Sequence, residues 1–479
     1  MSENNKKLST DPYKGVRDFY PAEMAIEKKI FEIWRNNCEK YGYEEYGASV
    51  LEPADLYKAK SGEEIVNEQT YTFTDRGDRE VTLRPEMTPT VARMIAGKRR
   101  DLQVPIRWFS IPNLFRYEQP QRGRTREHWQ LNADIFGVES INAEIEIINL
   151  AYDITRAYGL KDIDFEIRLN NRKVMNYVTR EVFGLNENAA LKISKLIDKK
   201  DKLKPEAFEM GVREVFSSNS DSFSVIPENT VSFPRKRESS ELQEDSSNST
   251  LDSRLRGNDK TQTVQKFLTL LNSKNFEEFT SNLPQTKEEH VGLKEIREVI
   301  QGLERLGITN VRFDQTLMRG FDYYTGIVFE IFDLNPVNRR SVFGGGRYND
   351  LLALFGNDKL PAVGFGAGDL VAQDLMETYG TLPKREDTAD LAICIVGEQN
   401  TPYSLELAQT LREKGIKVIV DLSNKKVGDQ ISNSAKRNIP RIVCIGDEEV
   451  KNGKLRVKTL ATGDETVCSE EEIINLVKI

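Results

Sequence analysis

At 479 residues, with 38% hydrophobic residues and a formal net charge of -8, the chain is too long for one core and too apolar for a disordered one. Four cysteines without a C-x-x-C pair read as reduced, structural thiols, and the presence of only two histidines, His128 and His290, excludes a multi-histidine metal centre. No run approaches the roughly eighteen apolar residues of a membrane span, and the start, MSENNKKLST, lacks an apolar signal core, so a cytoplasmic protein with no membrane association is expected. The acidic balance leaves nucleic acid open as a partner, because binding depends on local patches of charge.

A polar leader passes through GVRDFYPAEM into a helical pattern over 22–41, with Ile26, Ile30, Ile33 and Trp34 at helical spacing and Gly42 as the stop. A strand is expected over 46–51, followed by Pro53, which cannot donate to a ladder and belongs at a strand end or edge. Strands over 71–73 and 80–83 join across an Asp-Arg-Gly-Asp turn. RPEMTP, 84–89, opens a helix with Glu86 in its first turn, where a carboxylate either complements the helix dipole or points into a cleft to receive an ammonium group.

The stretch 111–137, IPNLFRYEQPQRGRTREHWQLNADIFG, reads as a long antiparallel hairpin turned at Pro120 and Gly123, with a basic tip. Even spacing puts Gln130 and Asp134 on one face of the return strand, and Arg116 and Glu118 on one face of the other arm. The hairpin thus gathers cations for a polyanion and acceptors for a polar ligand.

Helix 143–158 and strand 165–169 follow, and the periodicity then stays helical from 171 to 306, which suggests an inserted domain. Within it, 217–263 is rich in Ser, Asn, Asp, Glu and Arg and poor in apolar residues; it is expected to be disordered or loosely packed, a tolerated surface insertion. Its segment SFPRKRESSELQEDSSNSTLDSRLRGNDK carries a basic cluster near each end and resembles the in-frame translation of a palindromic genomic repeat. DQTLMRGFDYYTGIVFEIF then gives a polar and aromatic cluster before an alternating strand. SVFGGGRYND places three glycines where backbone meets a ligand or where the sheet bends. A small-residue strand running into a helix, PAVGFGAGDLVAQDLM, precedes the linker TLPKREDTAD. Alternating strands and helices over 388–479 form a separate α/β domain, and the cluster Lys425, Lys426, Lys436, Arg437 and Arg441 is either a solvated face or an RNA face.

In this order, RPEMT, FRYEQPQRGR, HWQLNADIFG, LMRGFDYYTG and GGGRYNDL resemble the histidyl-tRNA synthetase family of class II aminoacyl-tRNA synthetases over nearly the whole chain. The resemblance implies an α+β fold with a six-stranded antiparallel catalytic sheet flanked by helices. The catalytic core is expected in two parts, 1–170 (motifs 1 and 2) and 307–380 (histidine blocks and motif 3 region). An inserted helical domain occupies 171–306, an anticodon-binding domain 388–479, and a homodimer forms through motif 1. The implied activity is ligation of L-histidine to its tRNA through a histidyl-adenylate, releasing AMP and pyrophosphate. ATP is a substrate carrying Mg2+ on its phosphates, with no protein-liganded metal.

By the same resemblance Arg116 and Arg319 are the catalytic cations on either side of the α-phosphate, with Arg319 in a role that magnesium fills in other class II enzymes. Glu118 meets the adenine amino group, and Arg124 meets ATP or the tRNA acceptor end. Glu86 and Thr88 hold the α-ammonium group, with Gln130 beside the substrate. Asp134 and Tyr324 hold the imidazole nitrogens, with Tyr323 and Tyr348 completing the pocket. Two positions depart from the family pattern: Asp134 stands where many members carry Glu, and Leu370 and Val371 stand where motif 3 carries Glu and Arg. Arg84 or Arg347 is expected to supply the missing cation. Paralogues of this fold serve as histidine-binding regulatory subunits of ATP phosphoribosyltransferase without charging tRNA; they generally lack a C-terminal domain, so the ligase reading stands first.

Overall fold

Ile30, Trp34 and Cys38 recur every four residues along the helix Pro21–Lys40, and this stripe is fully buried. It packs against a second helix, Asn142–Ala157, whose Ile147, Ala151 and Ile154 face inward, and Trp34 donates through Nε1 to the Tyr158 hydroxyl. In the computed structural model these helices cover one face of a large sheet. Described are residues 8–58, 69–121, 123–200, 203–219, 251–318, 323–338, 340–356, 359–383 and 389–478. They fall into two compact units, residues 1–383 and 384–479.

The strands of the first unit are β1 (Glu44–Glu45), β2 (Leu51–Pro53), β3 (Tyr71–Thr74), β4 (Glu80–Leu83), β5 (Ile106–Ser110) and β6 (Asn113–Phe115). They continue with β7 (Glu127–Phe136), β8 (Phe165–Asn171), β9 (Val311–Phe313), β10 (Ile327–Asp333), β11 (Ser341–Arg347) and β12 (Ala362–Gly368). The main sheet runs β1-β5-β7-β12-β11-β10-β8-β9, with β6 paired to β7. Its centre, β5-β7-β12-β11-β10-β8, is the expected antiparallel six, and β1 and β9 extend it with parallel pairings. A separate small sheet, β2-β4-β3, has Pro53 at the end of edge strand β2.

Alternation divides the main sheet into two faces. Leu131, Ala133 and Ile135 of β7, Val363, Phe365 and Ala367 of β12, and Phe329 and Ile331 of β10 pack under the helices. Gln130, Asn132 and Asp134 of β7 therefore point to the opposite side, where the cleft lies.

Three expectations differ from the structure. No strand spans 46–51: Tyr46 makes one backbone bond, to Phe109, and the carbonyls of Ala48 and Ser49 accept from the Arg84 guanidinium instead of from a ladder. Glu86 lies ahead of the helix rather than in its first turn, because the helix Thr88–Lys98 starts just before Pro89, whose missing N–H is harmless only in the first turn. The stretch expected to be loose turns helical at Leu251 and stays so to Leu271, since Val264, Phe267 and Leu271 bury one face; the insertion's residues 220–250 lie outside the described residues. The last helix of the helical stretch, Val291–Arg305, lies on the main sheet, with Gly302 against Ile145.

The second unit holds β13 (Leu391–Ile395), β14 (Val418–Val420), β15 (Arg441–Ile445), β16 (Leu455–Thr459) and β17 (Glu465–Cys468), ordered β14-β13-β15-β16-β17. Leu407 and Leu411 of the helix Thr401–Glu413 and Ile473 of the helix Glu470–Lys478 join Leu391 and Ile393 in its main core, while Ile431 packs with Ala392 and Ile442 in a second cluster.

One polar group breaks the buried stripe of the first helix. Glu27 is 1% exposed, close to Asp369 and Arg17, and burial with the Asp369 charge raises its pKa from 4.5 to about 8. The folded chain therefore keeps a proton that the unfolded chain releases, so this group's contribution to stability falls as pH rises from the unfolded value through about 8. Thermal melts from about pH 5 to about pH 9 are expected to show a shallower alkaline loss in Glu27→Gln, which keeps the neutral form throughout.

Candidate functional site

The open face of the main sheet carries a cavity of about 310 Å³, lined among others by Glu86, Thr88, Arg116, Arg124, Gln130, Asn132, Asp134, Tyr323, Tyr324 and Tyr348. Its floor is backbone. Gly364 and Gly366 of β12 alternate to the cavity side, and a Cβ at either would come within 1.8 Å of Asp134 Oδ1 or Gln130 Nε2. Only glycine allows those two side chains to lie down over the neighbouring strand. The V-G-F-G-A-G alternation in β12 was a signal for this floor; the G-G-G run in β11 supplies Gly344 and Gly346 beside it, paired with Gly366 and Gly364.

One end of the cavity is a buried acid with hydroxyls around it. Tyr323 Oη donates to Glu86 Oε2 at 3.3 Å and lies 3.5 Å from Thr88 Oγ1, while Tyr57 donates to the Glu86 carbonyl. Glu86 is 3% exposed. Its position just before the helix aims the carboxylate across the chain at Tyr323, not along the helix axis.

Towards the sheet lies a second acid. Tyr348 Oη donates to Asp134 Oδ1 at 2.5 Å, and burial raises the Asp134 pKa from 3.8 to about 7, partly offset by that hydrogen bond. The tyrosine in turn is pushed well above its usual value by burial and by Asp134. Tyr324 stands beside Tyr323, ring centroids 5.0 Å apart, over Gly346. Asn132, overlooked in the sequence although it shares the parity of Gln130 and Asp134, accepts from Gln130 Nε2 at 3.1 Å and fixes that amide.

The cationic side comes from the hairpin. Gln121 and Arg124 exchange backbone bonds of 3.0 and 2.8 Å around Gly123, at φ 75°, which is the expected tight turn. Arg116 is anchored by Nε to the Pro85 carbonyl at 2.9 Å and lines the cavity with Arg124. Strand pairing ends at Phe115, so alternation does not govern the next residues, and Glu118 is turned off the cavity lining towards Arg124, 3.7 Å away. His128, buried on the same hairpin, is driven down to a pKa of about 3 by burial and by the Arg116 and Arg17 charges, and stays neutral. Arg319 lies outside the described residues.

Neither expected substitute for the motif 3 arginine is available. Arg347 is 5% exposed and forked onto the Glu144 carboxylate, and Arg84 spends its donors on Asn113, Ala48 and Ser49. Val371 packs against the main core. Among the described residues no cluster of three or more His, Cys, Asp or Glu is arranged to hold a metal, and no helix is long and apolar enough to cross a membrane.

An antiparallel sheet with helices on one face, and on the other a polar cleft edged by a basic hairpin, is the catalytic architecture of the class II aminoacyl-tRNA synthetases. A family profile described as Histidyl-tRNA synthetase matches residues 15–369, and one described as Anticodon binding domain matches 390–478. The chain is 37% identical over 475 residues to a histidine--tRNA ligase of Leptospira biflexa serovar Patoc, covering 99% of this chain and 98% of that one. It is 34% identical over 467 residues to the histidine--tRNA ligase of Thermoplasma volcanium, covering 98% of each. A histidyl-tRNA synthetase structure from Nostoc sp. PCC 7120 superposes with a TM-score of 0.71 at 22% identity, over 98% of this chain and 99% of that one. The chain belongs to the histidyl-tRNA synthetase family.

Because Tyr348 lowers the Asp134 pKa by donating to it, Tyr348→Phe is expected to move the Asp134 titration above about 7. Carboxyl-resolved NMR of the ligand-free protein checks this; a titration unmoved or shifted down contradicts the described bond.

Proposed function

We propose that this chain joins L-histidine to its tRNA at the expense of ATP, in two steps, as a homodimer in the cytoplasm. The substrate carboxylate attacks the α-phosphate of MgATP, pyrophosphate leaves, and the acyl group of the adenylate passes to the terminal ribose of the tRNA. Two buried acids facing one cavity, Glu86 and Asp134, carry this reading, since together they suit a small ligand with a cation and a polar ring. Glu86 takes the α-ammonium group with Thr88 and Tyr323. Asp134, held by Tyr348, accepts from one imidazole nitrogen, and Tyr324 meets the other; Gln130, fixed by Asn132, lies alongside. A site whose buried groups demand hydrogen bonds rejects an apolar isostere by roughly four orders of magnitude.

Negative charge grows on the phosphate oxygens as the carboxylate attacks, so fixed cations are the main requirement. Arg116 takes the α-phosphate from the hairpin side and Arg319 is assigned to the opposite side, with Glu118 at the adenine amino group and Arg124 at ATP or the acceptor end. Each guanidinium offers a planar fork that cannot lose its charge. Magnesium arrives on the ATP phosphates as part of that substrate. Leu51 and Phe73, both 47% exposed on the small sheet, are available to the dimer contact.

Pyrophosphate exchange dependent on histidine tests the first step. Asp134→Asn is expected to raise the KM for histidine about a hundredfold while the KM for ATP stays within about twofold. No exchange at saturating ATP and histidine in the wild type would sink the assignment, and binding of histidine without exchange favours the regulatory-subunit reading.

In the second unit Lys425, Lys426, Lys436 and Arg437 are exposed around the helix Val427–Lys436, which suits a phosphate backbone. Lys425→Glu with Lys426→Glu is expected to raise the KM for tRNA severalfold and flatten its salt dependence, leaving pyrophosphate exchange unchanged; charging assays at two salt concentrations decide it.

A further inference from the structure

Gly15 adopts φ +87°, and a Cβ there would lie 2.8 Å from Arg126 Cγ and Cδ and 2.9 Å from Pro120, so the leader passes directly over the base of the hairpin tip. Its carbonyl accepts from Arg126 N at 2.6 Å. The Arg126 side chain, only 8% exposed, reaches back: Nη1 donates to Tyr13 Oη at 3.1 Å and to the Lys14 carbonyl at 3.2 Å, and the guanidinium lies 4.0 Å from the Tyr117 ring.

The same arginine carries the chain that presents the two nucleotide-side residues. Its Nε donates to the Glu118 carbonyl at 3.2 Å, and its carbonyl accepts from Arg116 N at 3.0 Å. Residues 116–118 have left the strand ladder, so Arg126 provides their main anchorage. Two residues further on, Arg17 pairs with Asp369, the first residue of the helix Asp369–Thr378, and Asp369 Oδ1 accepts from Trp129 N at 3.2 Å. Phe19 packs edge-on against Trp129, 5.3 Å between centroids.

We propose that residues 13–19 are a positioning strap for the nucleotide side of the cleft, tying the hairpin through Arg126 and the Asp369 helix through Arg17 into one fixed frame. The proposal rests on the ATP assignment above. It gives the leader a task specific to this chain: where motif 3 lacks its arginine, the strap holds the remaining hairpin cations at their posts. Arg126 and Arg17 act through the residues they hold and are positioning residues.

Two variants differ in severity. Tyr13→Phe removes one acceptor at a side chain 58% exposed, and Gly15→Ala forces a carbon into Arg126. In pyrophosphate exchange the KM for ATP is expected to rise about threefold in the first and at least about tenfold in the second, with the KM for histidine within about twofold in both. If Gly15→Ala fails to fold, Tyr13→Phe alone decides. Folded variants with unchanged KM for ATP, or with both KM values raised equally, overturn the strap. If the wild type shows no exchange, the ligase assignment fails first; the strap is then judged by whether Tyr13→Phe shrinks the thermal shift produced by MgATP, and an undiminished shift overturns it.

Discussion

Strict alternation along β7 is the constraint on which the molecule depends. Three of its residues, Leu131, Ala133 and Ile135, are sealed under helices, and the three between them, Gln130, Asn132 and Asp134, face the cleft. A slip of one residue would put a carboxylate in the helix layer and leucine in the site. The register is pinned on both sides, by Asp134 opposite Trp108 on β5 and opposite Gly364 on β12. Packing and recognition are thus specified by the same ten residues.

Charge is separated across the cleft. The two buried acids sit deep, each with a tyrosine hydroxyl, and the cations come from a hairpin arm that has already left the sheet. A neutral, deeply depressed His128 shows how strong the positive field is on that arm. Burial costs the acids more than the cations, since Asp134 is pushed up to about 7 whereas Arg116 and Arg124 border the open cavity. The acids are rigid and enclosed; the cations depend on tertiary supports outside the ladder.

The sequence made the periodic parts legible. Helix stripes, the β7 parity that selected Gln130 and Asp134, and the Gly123 turn all follow from local rules, and the structure has them where the spacing put them. What failed depended on distant partners. Arg84 takes the carbonyls that a strand over 46–51 needed, Arg347 is committed to Glu144, and Glu118 follows a chain already out of the ladder. Asn132 was missed for a different reason: its role lies in holding Gln130 rather than in any chemistry of its own. The ordered set of motifs reached the family where spacing alone had stopped at a cleft with cations and acceptors.

The glycine floor has a thermodynamic meaning. Along β11 and β12 the side-chain layer that normally finishes a sheet face is missing at Gly344, Gly346, Gly364 and Gly366. Whatever binds there is, in packing terms, that missing layer: it supplies the atoms the chain omits. Ligand occupancy and folding free energy are therefore coupled through mass action, and the ligand-free sheet is an unfinished core held open by backbone alone.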